Sequence, residues 1–197
     1  MVSINKNHKM MDSLFTLLVV GIFIFGGIYQ VFGQPKGGEM QEEKKFTKQE
    51  CHKNFAVELN GITWGLLEKT GRTEQEDNQM INAAHASCYH WKVVGTDTNQ
   101  QIGQWLISHV YAVLKRPEPA LYHAKLCLNL TEKLKLQDWY IAYAYEAMAR
   151  AYAAAGNKEE CTKYLTMAEE AGKKIKNPED KKLFEGDFPK GPWYGMK

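Results

Sequence analysis

An internal similarity at a shift of 41 residues constrains the fold of this chain more than any other feature of its sequence. In both copies an aromatic residue is followed, after a turn, by three small or apolar residues at steps of four and three. The first copy reads Tyr111-x8-Ala120-x3-Ala124-x2-Cys127, and the second reads Tyr152-x8-Cys161-x3-Leu165-x2-Ala168. Because repeated units bury their apolar faces against one another, this similarity predicts a stack of like supersecondary units.

Residues 47–177 show helical periodicity and lack the two-residue alternation of strands, which predicts an all-α domain. Capping boxes indicate three helix starts, each pairing a threonine with an acid or amide three residues later: Thr47 with Glu50, Thr73 with Glu76, and Thr98 with Gln101. The predicted helices span 48–69, 74–93, 98–114, 118–134, 138–155 and 158–174, followed by a short helix from 178 to about 185 and an irregular tail from 187 to 197. Since the loops are short, successive helices should pack antiparallel.

The two copies resemble the tetratricopeptide repeat family, in which the first helix carries an aromatic residue and the second carries small residues where helices cross closely. A weaker third copy at Leu66, Ala83 and Ala86 extends the resemblance to about residues 50–174. The resemblance implies antiparallel helical hairpins stacked as a short α-solenoid at residues 48–177, with a short helix and irregular tail at 178–197. The period here is near 41 rather than about 34 residues. The family's first-helix glycine is replaced by Ser108 and Ala149 and its closing proline by Glu132 and Gly172, so the helices should be longer than is standard for the family.

Residues 1–39 form an N-terminal hydrophobic segment, and residues 40–47 form a linker. The part at about 13–32 is uncharged from Leu14 to Phe32 and long enough to cross roughly 30 Å of hydrocarbon, which predicts a single-pass membrane anchor or a secretory signal. A misassigned start is the alternative, because Lys36-Gly37-Gly38-Glu39-Met40 can be encoded by a bacterial ribosome-binding sequence followed by a start codon. Translation from Met40 would give a cytoplasmic protein. The sequence leaves both possibilities open.

The charge balance argues against a general nucleic-acid-binding function. The chain has 25 Lys and Arg against 23 Asp and Glu, a formal net charge of +2, whereas nucleic-acid binders need a basic stripe. The four cysteines contain no CxxC pair and fall at helix-packing positions, so we expect free thiols at Cys51, Cys88, Cys127 and Cys161.

His85, Cys88 and His90 are metal-ligating residue types that lie close together in the sequence. On a helix His85 and Cys88 share a face, but His90 lies about 140° from His85, so the three cannot converge on one ion. A two-ligand site completed by Cys51 or His52 is the alternative, and it would suit a metal-dependent regulator or enzyme. The chain contains no recognisable catalytic motif. We therefore expect no catalysis, no cofactor and no metal.

The resemblance also implies where a partner binds. In tetratricopeptide-like arrays the first helix of each repeat lines a concave groove, and this register corresponds to Trp64, Glu68, Trp105, His109, Glu146 and Arg150. Two indoles beside charged groups have the composition of a binding hot spot. The alternative is that Trp64 and Trp105 are core residues. Exposure of Arg150 beside Trp105 would favour a groove, whereas pairing with Glu146 on the outer face would favour a core.

These expectations combine into a non-catalytic scaffold module that binds a protein or peptide partner in its groove. A membrane-tethered assembly factor is the version that applies if residues 13–32 are translated. The sequence identifies neither the partner nor the oligomeric state, and it leaves open whether the tail occupies the groove.

Overall fold

The computed structural model describes residues 45–197, which are all-α and contain no strand. Residues Lys48–Lys197 form one compact unit. Its helices are α1 (Lys48–Glu68), α2 (Glu74–Val94), α3 (Asp97–Val113), α4 (Pro117–Lys133), α5 (Trp139–Ala154), α6 (Lys158–Lys173) and α7 (Pro178–Asp187). The predicted fold class is confirmed, and the predicted helix bounds agree to within two residues at each end.

Each of the first six helices packs against the next, and α3 also packs directly against α5. The odd-numbered helices α1, α3 and α5 therefore form an inner layer, and the even-numbered helices form an outer layer. Small residues allow the close crossings. Ala120, Ala124, Cys161 and Ala168 are fully buried, as the repeat pattern predicts. A Cβ at Gly103 of α3 would lie 2.6 Å from the Cys88 sulfur of α2, so only glycine fits that crossing.

The repeat of 41 residues extends to the geometry of the hairpin turns. Lys115 after α3 and Gly156 after α5 lie 41 positions apart and both adopt left-handed backbone, with φ of 52° and 71°. In each turn the residue that follows donates its N–H to the carbonyl of the repeat's aromatic residue, Tyr111 in one and Tyr152 in the other, at 2.9 and 3.0 Å. The aromatic residue thus marks the same point of the helix end in both copies.

The capping boxes predict two of the helix starts correctly. Helix α1 begins directly after Thr47, and at Thr73 the side chain accepts from the Glu76 N–H while the Glu76 carboxylate accepts from the Thr73 N–H. The box at Thr98 and Gln101 is wrong, since α3 begins at Asp97 and its N-cap is Thr96. The Thr96 N–H donates to the Asn99 amide oxygen at 2.8 Å. The cap of α3 therefore lies at Thr96, two residues before the predicted cap at Thr98.

The predicted membrane segment at 13–32 and most of the linker at 40–47 lie outside the described residues. Within residues 45–197, no helix combines the length and the apolar content that crossing a bilayer requires.

Candidate partner-binding surface

Five of the six predicted groove residues form one cluster on the inner layer of helices. The members, which we call the inner surface, are Trp64 of α1, Trp105 and His109 of α3, and Glu146 and Arg150 of α5. Residues four positions apart on a helix project from the same face, which explains why α3 and α5 each contribute a pair. The sixth residue, Glu68, lies exposed at the end of α1.

Trp105 connects the three inner helices. Its ring centroid lies 5.8 Å from that of Trp64 and 5.4 Å from that of His109, the latter in an edge-to-face arrangement. Its indole N–H donates to Glu146 Oε2 at 3.0 Å. A single side chain therefore holds α1, α3 and α5 in register at this level of the stack.

Arg150 takes neither of the two arrangements that the sequence suggested. Its guanidinium Nε donates to Glu146 Oε1, and the two side chains are only 2% and 0% exposed. The ion pair lies on the inner side beside Trp105, not on the outer face. Arg150 is nevertheless buried, because another part of the chain covers it.

The cover is the irregular C-terminal segment at residues 188–197, which we call the tail. The Trp193 ring lies beneath the Arg150 guanidinium, with 5.1 Å between the ring centroid and the guanidinium carbon, and Trp193 is 8% exposed. The Tyr194 hydroxyl donates to the carbonyls of Ala112 and Val113, at 2.7 and 3.1 Å, at the end of α3. The tail thus covers Arg150, one of the six residues predicted to line the groove, and it packs at the end of α3.

Helix α7 leads the tail to this position through contacts that sequence reasoning missed. The buried Tyr143 ring of α5 lies edge-to-face with Phe184 of α7, at 5.1 Å, and with Trp105, at 5.3 Å. Its hydroxyl donates to Asp187 Oδ2 at 3.3 Å, and burial raises the pKa of this phenol. In the tail, the Phe188 ring stacks on Phe184 and meets the edge of Trp193.

Three buried polar atoms of this region have no hydrogen-bond partner among the described residues: His109 Nδ1, Arg150 Nη1 and Trp193 Nε1. Burial, and secondarily the charge of Arg150, hold the pKa of His109 well below its ordinary value, so this imidazole is neutral at neutral pH. Leaving a buried donor unsatisfied costs about 1–3 kcal/mol. The tail therefore leaves two polar atoms of the inner surface, His109 Nδ1 and Arg150 Nη1, without a hydrogen-bond partner among the described residues.

A second group of ring side chains lies between α2, α3 and α4. His85 Nε2 is hydrogen-bonded to the Tyr111 hydroxyl at 3.0 Å, and His123 Nδ1 to Gln104 Oε1 at 2.6 Å. The two imidazole centroids are 5.2 Å apart. Burial and the neighbouring His85 lower the pKa of His123 to about 4, so both histidines favour the neutral form.

The three residues of the candidate metal cluster face three different neighbours. His85 contacts Tyr111, Cys88 lies by the amides of Gln100 and Gln104, and His90 Nδ1 is 2.8 Å from the Nδ1 of His52. The three side chains thus point to different neighbours, in agreement with the helical geometry, which places His90 about 140° from His85. Within residues 45–197, no group of three or more His, Cys, Asp or Glu is arranged to hold a metal ion.

The four cysteines are free thiols, as expected. Cys127 is the most deeply placed, and its sulfur accepts from the Gln101 amide at 3.2 Å. Burial raises the pKa of Cys127 to about 12 and that of Cys88 to about 11. Thiols held in the neutral form are poor nucleophiles, so neither residue has the properties of a reactive cysteine.

No protein-family model, no curated protein and no solved structure matches this chain.

Proposed function

We propose that the helical domain is a non-catalytic protein–protein interaction module of tetratricopeptide type, which binds an extended segment of a protein partner on its inner surface. The observation that supports this function most is that an irregular peptide segment, the tail, already packs on Arg150 of the inner surface and on the adjoining end of α3. A surface that accommodates one such segment through side-chain contacts has the shape and chemistry to accommodate another.

The contacts of the tail illustrate how a partner would be recognised. The Arg150 guanidinium offers a flat cation to an aromatic ring, and the carbonyls of Ala112 and Val113 accept from a hydroxyl. Trp64 and Trp105 add rigid apolar area beside these groups. Together they form a central aromatic anchor with polar groups that fix the direction of a bound segment.

Site-specific photo-crosslinking in host cells tests this function on the full chain. A photo-reactive amino acid replaces Glu68, which is exposed beside the inner surface, or Tyr122, which is 61% exposed on the outer helix α4. We expect discrete crosslinked partners from position 68 and none of the same partners from position 122. Equal crosslinking from both positions, or none from position 68, would contradict partner binding on the inner surface.

The compartment of this module depends on the N-terminal segment. We propose that translation from Met40 gives a cytoplasmic module, while translation from Met1 gives one that residues 13–32 tether to the membrane. The intact mass of the protein from its own host, measured in soluble and membrane fractions, distinguishes the two. A species that begins at Met1 and is recovered with membranes would exclude the start at Met40.

A further inference from the structure

The tail is attached to the helical stack by few polar contacts. Among the described residues, the side-chain hydrogen bonds between the tail and α1–α6 are those of the Tyr194 hydroxyl to two carbonyls at the end of α3. The remaining attachment is ring packing, mainly of Trp193 under Arg150 and of Tyr194 under the Lys115 ammonium, which lies 4.7 Å from the ring centroid. Detaching the tail therefore breaks few hydrogen bonds.

The tail also leaves the polar groups of the inner surface poorly matched. Arg150 Nη1 and Trp193 Nε1 are buried donors without an acceptor among the described residues. The tail contains no Asp or Glu side chain that could supply one, and its charged side chains are those of Lys190 and Lys197. The Lys197 ammonium sits 3.9 Å from the Phe188 ring centroid and 5.4 Å from that of Trp193, on the same ring that Arg150 covers. Two cations thus share the neighbourhood of one indole.

We propose that the tail is a displaceable intramolecular ligand of the inner surface, and that the partner segment that replaces it carries an aromatic side chain together with a carboxylate that accepts from Arg150. This inference rests on the proposed function and specifies the chemistry of the partner. The aromatic ring takes the place of Trp193. The carboxylate supplies the acceptor that the tail lacks, and charge-assisted hydrogen bonds of this kind are about twice as strong as neutral ones.

Synthetic peptides test the inference on the full-length chain. The parent peptide has the sequence of residues 187–197, and in the test series a single Asp replaces each residue from 190 to 196 in turn, except Trp193. Each Asp peptide has a matched Asn peptide of the same shape without the charge. The position of the tail is monitored by ¹⁹F NMR of protein labelled with 5-fluorotryptophan, in which the Trp193→Phe variant assigns the Trp193 resonance.

We expect at least one Asp peptide to bind about tenfold more tightly than its Asn counterpart, which corresponds to about 1.4 kcal/mol. The same peptide should move the Trp193 resonance to the position of a solvent-exposed indole. In the Arg150→Lys variant, which keeps the charge but loses the forked donor, the preference for Asp should fall below about threefold. If that variant is unfolded by circular dichroism, a photo-reactive group at the peptide's indole locates the site by its crosslink to α5.

The outcomes separate this inference from the proposed function. Binding of peptides without any movement of the Trp193 resonance would overturn the displaceable tail. Equal affinity of every Asp and Asn pair would overturn the carboxylate, although peptide binding itself would still stand. If no peptide binds even to the Trp193→Ala variant, whose own tail has lost its anchor, the inner surface is not a peptide-binding surface and the proposed function fails as well.

Discussion

The two ends of the helical stack differ in how completely they are buried. At the N-terminal end, α1 buries only Ala56 and Thr63, while Phe55 is 50% exposed and Tyr89 of α2 is 60% exposed. Toward the C-terminal end, ten of the sixteen residues of α5 are buried. The reason is the number of neighbours: α5 contacts α3, α4, α6 and α7, whereas α1 packs mainly on α2.

This difference shows how the chain ends its stack. A terminal repeat has an apolar face with no following repeat to cover it, so it needs a cap. At the C-terminal end α7 and the tail supply the cap, through Phe184, Phe188 and Trp193. The same segment continues onto the inner surface and covers Arg150. Capping of the stack and covering of Arg150 are therefore achieved by one piece of chain.

The largest expected effect comes from Glu146→Gln, because it leaves the Arg150 charge buried without a counter-ion. We expect a loss of about 3–5 kcal/mol in the free energy of unfolding, measured by urea denaturation. The matched control is Glu169→Gln, which breaks an exposed pair with Lys173 and should cost less than about 1 kcal/mol. A loss below about 1 kcal/mol for Glu146→Gln would mean that water reaches the pair and that the tail does not seal the C-terminal end.

Paired substitutions at the two ends, Trp193→Ala and Phe55→Ala, compare directly how strongly each end is buried. The indole is 8% exposed and packs on Arg150 and Phe188, so its removal should cost about 2–4 kcal/mol, near the lower end for large aromatic side chains. Phe55→Ala at the N-terminal end, where the ring is 50% exposed, should cost less than about 0.5 kcal/mol. Thermal unfolding followed by circular dichroism measures both. Equal losses would remove the distinction between the C-terminal end, which α7 and the tail cap, and the N-terminal end, whose α1 is more exposed within residues 45–197.

Acidification should destabilise the protein, and mainly through the partly buried histidines, whose pKa is lowered in the folded chain. The pKa of His109 lies well below the ordinary value of 6.5, so the unfolded chain takes up a proton below pH 6.5 while the folded chain does not. The contribution of His109 to stability is complete above pH 6.5 and falls as the pH drops from there toward its folded pKa, by at most about 2 kcal/mol between pH 6.5 and 5. Urea titrations at several pH values measure this slope.

The control for His109 lies at the other end of the stack. His90 is hydrogen-bonded to His52 near the surface of the N-terminal hairpin, and burial lowers its pKa as well. His90 is far less enclosed than His109. The substitution His90→Gln should therefore flatten the pH dependence of the free energy of unfolding much less than His109→Gln does. An equal effect of the two substitutions would show that His109 is no more enclosed than His90.

Local sequence features predicted the helices of this chain well. The capping box at Thr73 and the turn residues before Pro117 and after Ala155 act within a few positions, so each helix end is encoded where it occurs. The capping box predicted at Thr98 was wrong because a second possible helix start, at Thr96, lies only two residues earlier. The Thr96 start prevailed, and Gln101 is instead buried and donates to Thr131 of α4.

The position of the tail could not be predicted in the same way, because its contacts are remote in sequence. The Tyr194 hydroxyl meets Ala112, 82 positions earlier, and no periodicity encodes such a contact. The buried ion pair did leave a signal. Glu146 and Arg150 are the only charged residues of α5, which is otherwise alanine-rich and aromatic, and an isolated opposite pair four residues apart on an apolar helix indicates a buried pair.

The smallest predicted effect isolates one contact of the tail. Lys115 and Lys135 both have φ of 52°, a left-handed backbone that costs a side-chain-bearing residue about 1 kcal/mol relative to glycine. Lys135→Gly should therefore stabilise the protein by about 0.5–1 kcal/mol. Lys115→Gly relieves the same strain, but it also removes the ammonium that lies 4.7 Å from the Tyr194 ring centroid, a contact worth about 0.5–1 kcal/mol. The two effects should nearly cancel at position 115.

The difference between the two glycine variants thus reports the attachment of the tail without disturbing the inner surface itself. Lys115→Met tests this assignment, because it keeps the strained backbone and the length of the side chain while removing the charge. It should lose about 0.5–1 kcal/mol, whereas Lys135→Met should change stability by less than about 0.5 kcal/mol. If both glycine variants stabilise equally and both methionine variants are neutral, Lys115 does not hold Tyr194, and the tail is fixed at this point by the hydroxyl contacts alone.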